Sequence, residues 1–219
     1  MSKTDTKMVL LNGPAGCGKG IVVNALEGIV EVSSCKDHLI ELTAKFFNLS
    51  MEVFNHYYLN RDLKETPQEV FAVKFREYLE IKSYLAKPTS EEDLAINGLF
   101  KLSAREALIY VSEVVCKPAF GDRYFGKVRA SRLESDRNYI DDSCGFVEEI
   151  YPLFDVLDQD AILLIREKGR GDYSGDSRSY IPNGVVKNTI DVENISTEEE
   201  YVNTMVKIIT EFLLTLKKD

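Results

Sequence analysis

The feature that most restricts this chain is a short apolar run at residues 8–11. It is followed at once by Gly13-Pro14-Ala15-Gly16-Cys17-Gly18-Lys19-Gly20, and then by Ile21, Val22, Val23, Ala25 and Leu26. The order reads as buried strand, tight loop, helix. The loop fits GxxxxGK. Glycines let successive backbone N–H groups turn toward a phosphate with no Cβ in the way, the helix start adds partial positive charge, and the lysine reaches outer phosphates. Gly13, Ala15, Gly16, Cys17, Gly18, Lys19, Gly20 and Ile21 are therefore the candidate nucleotide contacts, with Lys19 expected to be a solvent-facing charge that acts in catalysis. An ordinary glycine-rich turn is the competing reading. One position departs from the pattern: Gly20 stands where a Ser or Thr hydroxyl usually binds magnesium, and Ile21 brings none. Mg²⁺ would then be held by nucleotide phosphates, waters and a distant carboxylate.

Further strands are expected at 30–32, 139–142, 161–165 and 189–192. Helices are expected at 36–48, 51–58, 71–85, 103–115, 122–133 and 145–154, and from Thr197 onward. Ser34/Asp37 and Ser103/Glu106 have capping-box spacing. Thr197 opens a helix with three glutamates in its first turn and Lys217-Lys218 at its end, the charge order a helix dipole favours. Residues 60–67 are charged and punctuated by proline. The stripe Phe71, Phe75, Tyr78, Leu79 and Leu85 suggests a helical insertion ending near Lys87-Pro88. A polar loop with Gly169, Gly171 and Gly175 spans 166–187. Strands separated by helices predict a parallel sheet covered on both faces, with ligands beyond the carboxyl ends of its strands.

Composition narrows the chemistry. Lysine and arginine total 27 against 36 acidic residues, and the formal charge of -9 disfavours a polynucleotide partner, whose affinity depends on cationic side chains. A small phosphorylated ligand survives that argument, because a few local N–H groups and arginines suffice. With only His38 and His56, a Ser/His/Asp or Cys/His unit has few places to form. Cys17, Cys35, Cys116 and Cys144 make no metal pattern and read as reduced thiols of a cytosolic protein. A chain of 219 residues can bury about 70% of its unfolded surface, so one compact domain needs neither disulfide nor structural metal. The start is polar, and the longest aliphatic run, 161–165, is too short to span a bilayer. Neither an anchor nor a membrane partner is expected.

Other candidates follow from placement. Asp141 and Asp142 end a strand, where a metal-organising carboxylate would sit, with Asp141 favoured and binding through water; helix capping by Asp142 or Ser143 is the alternative. Arg105 lies in a helix first turn, where a cation opposes the dipole unless a phosphate or a surface carboxylate compensates. Arg61, Lys64 and Glu65 either touch an acceptor or form a solvated charge run. Arg166, Arg170 and Arg178 either close over transferring phosphates or merely decorate a solvated loop.

The order of these motifs resembles bacteriophage deoxynucleoside monophosphate kinases, a branch of the P-loop NMP kinases. The likeness covers most of the chain: Gly13 to Gly20, KDHLIELTAKFFNLS, RDLKETP, SAREALIYVSEVVCKPAFGDRYFG, DDSCGFVEE, the arginine loop and DVENISTEEE. It implies a three-layer α/β P-loop kinase fold, with a helical acceptor-binding region at 36–118 and an arginine-bearing lid at 166–187. It implies ATP with Mg²⁺ as donor, ATP phosphates at Gly16, Gly18 and Lys19, and a deoxynucleoside monophosphate as acceptor near Lys36, Asp37 and Arg105. Arg166 and Arg178 would close the site, in the cytoplasm of a bacterial host. Members commonly have an acid or hydroxyl after the P-loop lysine and an arginine shortly after the aspartate of the DDSCGF region; here Gly20 and Ser143-Cys144-Gly145 replace them. Dephospho-coenzyme A kinase, or a nucleotide-binding module without turnover, are the alternatives. A homodimer stays open.

Overall fold

The computed structural model describes residues 5–85, 99–174 and 178–215. Lys87-Pro88, Gly175 and Lys217-Lys218 therefore lie outside the described residues. In chain order the elements are β1 (Lys7–Asn12), α1 (Lys19–Ala25), β2 (Glu31–Val32), α2 (Cys35–Phe46), α3 (Met51–Leu59), α4 (Arg61–Lys64), β3 (Gln68–Lys74) and α5 (Phe75–Lys82). There follow β4 (Leu99–Leu102), α6 (Ala104–Ile109), a π-helical stretch (Tyr110–Cys116), α7 (Lys117–Phe120), α8 (Tyr124–Ser131), β5 (Asn138–Asp141), α9 (Val147–Ile150), β6 (Ile162–Lys168), β7 (Asn188–Glu193) and α10 (Glu198–Leu214). The chain divides into two compact units, one from residues 1–35 with 125–219 and one from residues 36–124.

The first unit is α/β. Its five strands run in the order β2-β5-β1-β6-β7, and every neighbouring pair is parallel. β1 and β6 are apolar at successive positions because both sheet faces are covered. Met8 and Leu10 point to one face, into a core with Tyr139, Ile150, Leu153, Ile162 and Leu164. Val9 and Leu11 point to the other, packing with Ile140, Leu163 and Ile165, with Val22 of α1 and Leu26 just after it, and with Tyr201, Met205 and Ile209 of α10. Thr197 caps α10, accepting from the Glu200 N–H at 3.3 Å. All four cysteines are free and buried.

The second unit corrects one expectation. The stripe through Phe71 does not form a single helix: β3 pairs antiparallel with β4, and helix begins only at Phe75, where the Lys74 N–H donates to Glu77 Oε2 at 2.8 Å. Period two explains it, since Phe71 and Val73 alternate inward, and Phe71 sits at the centre of a ring cluster with Phe47, Phe54 and Tyr57. The Ser103 capping box forms, with Glu106 N–H to Ser103 Oγ at 3.2 Å and Ser103 N–H to Glu106 Oε2 at 2.7 Å. Helical structure then continues through the π stretch into α7.

Two boundaries in the first unit also differ from expectation. Residues 145–154 yield only α9 and a 3₁₀ turn, Tyr151–Asp155, with Pro152 at the point where a helix would need another N–H. β6 continues past Ile165 to Lys168, so Arg166 is a strand residue and the 166–187 loop starts later than expected. Among the described residues, no helix is long and apolar enough to cross a membrane.

α8 approaches α9 so closely that Gly126 leaves no room for a side chain: an added Cβ would lie 2.6 Å from the Glu149 carbonyl oxygen and 2.8 Å from its Cα. Gly126→Ala should therefore destabilise the protein by about 1–3 kcal/mol, overriding the gain of up to about 1 kcal/mol that alanine brings to a helix. Thermal unfolding checks this, and an unchanged or higher Tm would contradict the packing.

Candidate functional site

The glycine loop joins the end of the central strand β1 to α1. Two of its glycines have left-handed backbones, Gly16 at φ 79° and Gly18 at φ 114°, which residues with a Cβ rarely adopt. Gly13 is glycine for space instead, because a Cβ there would stand 2.6 Å from Cys17 Sγ and 3.0 Å from Glu167 Cβ. Ala15, Gly16, Gly20 and Ile21 are exposed, whereas Cys17 is buried. Lys19 departs from expectation. It is 9% exposed, and its ammonium donates to the Gly13 carbonyl at 2.6 Å, the Pro14 carbonyl at 2.8 Å and Cys17 Sγ at 3.3 Å. A charge in a partly dry loop needs hydrogen-bond partners, and the loop's own carbonyls supply them.

Beneath the loop lies a polar cluster not anticipated from the sequence. Glu167 is fully buried; its Oε2 accepts from the Tyr201 hydroxyl and from Cys17 Sγ at 3.4 Å, while Oε1 has no partner among the described residues. Asn194 donates from Nδ2 to the Cys17 carbonyl at 2.5 Å. Gly18 is packed against both Tyr201 and Asn194, since a Cβ would come within 2.9 Å of the tyrosine ring and 3.2 Å of the amide. Burial pushes the Glu167 carboxyl up, against the lowering pull of Tyr201, Cys17 and Lys19. Burial, reinforced by Glu167, also raises the Cys17 thiol and the Tyr201 hydroxyl. The readable signal was strand parity: Glu167 continues the series Leu163, Ile165 that faces α10, once β6 is allowed to run on.

The predicted arginine group is only partly brought together. Arg166 is held in the sheet, its Nε 2.5 Å from Asp191 Oδ1 and one guanidinium nitrogen 3.1 Å from the Ile181 carbonyl. Asp191 also meets Lys168 at 2.6 Å, and the hydrogen bonds from Lys168 and then Arg166 hold its carboxyl below the usual range. Arg166 is thus a paired strand residue, because the extended β6 places it opposite Asp191 in register. Arg170 is exposed between Gly169 and Gly171, both left-handed, and the chain at Gly171 runs against the glycine loop: a Cβ there would be 3.2 Å from the Ala15 carbonyl. Arg178 lies across Gly145.

Asp141 is fully buried in an ion pair with Arg129, which is 2% exposed. Its other oxygen accepts from the Ser143 N–H and hydroxyl, each at 2.7 Å. Asp141 therefore stands inside the fold rather than at an open strand mouth. Arg129 also donates to the Glu149 carbonyl at 2.6 Å, which ties β5 to α8 and α9.

In the second unit, Lys64 and Lys36 converge on one ring, their ammonium nitrogens 4.1 and 5.8 Å from the Tyr58 centroid. Asp37 is exposed in the first turn of α2, and Arg61 is exposed at the start of α4. Arg105 pairs with Glu65 at 2.9 Å, the carboxylate alternative considered for it. Compared with known proteins, the chain matches no family model, and no curated protein shows significant sequence similarity to it.

The buried Glu167 gives the loop a pH signature. A carboxyl whose folded pKa is raised costs stability as pH climbs from its unfolded value, about 4.3, through the folded one, because the unfolded chain ionises first. Glu167→Gln removes that cost. The Tm of the Gln variant relative to wild type should therefore rise as pH climbs above about 4.3; a Tm difference that does not vary with pH would show Glu167 to be uncoupled from folding.

Proposed function

We propose that the protein is an ATP-dependent kinase of nucleoside monophosphates, most simply of deoxynucleoside monophosphates, with the P-loop kinase arrangement of its first unit. The carrying observation is the GxxxxGK loop at the carboxyl end of the central parallel strand. Its glycines adopt left-handed backbones or close approaches that disfavour a side chain, and its lysine folds back onto the loop carbonyls. The parallel five-stranded sheet with both faces covered and the sequence resemblance support the same reading.

The residues present suit a triphosphate. Ala15, Gly16 and Gly20 are exposed around the loop, and open space surrounds the Cα of Gly16 and Gly20. Lys19 would exchange the loop carbonyls for phosphate oxygens. Magnesium fits less well: Gly20 and Ile21 carry no hydroxyl, and both oxygens of Asp141 are engaged by Arg129 and Ser143. Mg²⁺ suits this chain only as a companion of the nucleotide phosphates, and no residue is assigned to hold it.

A monophosphate acceptor is largely ionised at neutral pH, so its attacking oxygen needs no general base, which accords with the scarcity of histidine. The chain's work is then to hold two anions in line and to set cations where charge develops. Lys19 and Arg178 are assigned to the transferring phosphoryl group. Lys36, Lys64 and Arg105 are assigned to the acceptor, with Arg105 leaving Glu65 to do so. The absent hydroxyls at Gly20 and Ile21 favour a second reading, a nucleotide-binding module without turnover. ADP release against a panel of nucleoside monophosphates, with dephospho-coenzyme A and no-acceptor controls, separates the readings.

Lys19→Ala should lower turnover by about 10²-fold or more, the scale of one preorganised electrostatic contact. Folded protein with undiminished ADP release would remove the loop from the mechanism. Gly20 has neither a left-handed backbone nor a crowded Cα. Gly20→Ser should therefore fold normally and lower the Mg²⁺ concentration that gives half-maximal rate. An unchanged Mg²⁺ requirement would mean that the cation does not approach this position.

A further inference from the structure

Gly145 needs no unusual backbone, yet a Cβ there would lie 2.6 Å from Arg178 Cβ and 2.7 Å from its Cγ and Cδ. The obstacle is the root of the arginine side chain, not its mobile end, so it cannot be relieved by a rotation far from the backbone. The glycine is a bed for Arg178. Behind it stands Asn12, fully buried at the last residue of β1 and next to the phosphate loop. Its Nδ2 lies 3.0 Å from the Cys144 carbonyl, from the Ser179 carbonyl and from the Tyr173 hydroxyl, and its Oδ1 accepts from the Ile181 N–H at 2.8 Å. One amide thus joins the residue before Gly145, the residues on either side of Tyr180 and the end of the central strand. The Tyr180 hydroxyl donates to the Glu167 carbonyl at 2.8 Å, securing the same segment to β6. Burial raises the Tyr173 hydroxyl and the Cys144 thiol, and the Arg178 charge opposes both shifts.

Resting on the kinase reading of the loop, we propose that Asn12 and Gly145 are positioning residues that hold Arg178 as a fixed wall of the phosphate site rather than as part of a swinging lid. The DDSCG turn carries no arginine of its own, and the bed at Gly145 brings one to it from residue 178 in space. A cation already in place when charge develops needs no reorganisation, which is where such groups contribute most to rate.

The test is a double-mutant cycle of Gly145→Ala, Arg178→Gly and both together, read by Tm and by steady-state kinetics with ATP and an accepted monophosphate. Gly145→Ala should lower kcat by about 10²-fold, the scale lost when a reacting group is misplaced by about 1 Å, while KM for ATP stays within about twofold. It should also lower Tm. In the double variant kcat should be no lower than with Arg178→Gly alone, and Tm should recover above that of Gly145→Ala, because the two changes share one contact. Wild-type kcat in Gly145→Ala, losses that multiply in the double variant, or a misfolded Gly145→Ala that Arg178→Gly does not rescue would each overturn the proposal. A wild-type chain without turnover on any acceptor would sink the kinase reading instead; the Tm cycle needs no acceptor and would still decide whether Arg178 rests on Gly145.

Discussion

A central parallel strand must end, and where it ends its neighbours lose the ladder that satisfied their backbone. In this protein the problem falls at Asn12, buried among segments with no regular partner of their own. An unpaired buried backbone group costs about 1–3 kcal/mol, so a side chain with two donors and an acceptor at this point stabilises several segments at once. One side-chain amide consequently ties the Cys144 turn and the 179–181 segment to the end of β1, beside the Ser179 N–H bond to the Gly145 carbonyl at 3.4 Å. Their geometry inherits the stiffness of β1.

The floor of the loop follows a different rule. Lys19, Cys17, Glu167 and Tyr201 form a chain of contacts in which an ammonium and a carboxyl share one buried thiol between them. Such a cluster is a poor source of stability, since desolvation offsets most of what the charges gain from each other. What it does supply is shape. Tyr201 and Asn194 press against Gly18, and Glu167 and Cys17 press against Gly13, so the loop cannot flatten without opening the cluster. Glycine is required at these two places by Cys17 within the loop and by neighbours from β6, the turn after β7, and α10 that are distant in sequence.

That distance explains what could and could not be read from the chain. The strand-loop-helix unit, the Ser103 and Thr197 caps and the buried β1 and β6 are local patterns, and they were legible from residue order. β3 was missed because Phe71 fits both a period-two and a helical series, and only the partner strand Leu99–Leu102 decides between them. The polar residues Arg166, Glu167 and Lys168 read as loop because the apolar run stops at Ile165; their strand conformation comes from pairing with Asp191, Val192 and Glu193. Lys19 looked exposed by motif, yet its position depends on carbonyls that the loop turns inward. The pairing of Asp141 with Arg129 carried no local signal at all.

These long-range constraints bear on how a kinase reading must be framed. A swinging arginine lid would need hinges and a weakly held segment, but the two ends of the 169–181 region behave differently. Around Gly169 and Gly171 the backbone is left-handed and exposed, passing beside Ala15 and Ile195. At 178–181 it is stitched to Asn12 and Gly145, and the Arg166 guanidinium holds the Ile181 carbonyl. On the kinase reading, closing motion would therefore be confined to 169–172 around Arg170, since Asn12 holds Tyr173 as well as Ser179 and Ile181. Such a division suits phosphoryl transfer, in which one set of cations must be fixed before the reaction while another admits and releases the nucleotide.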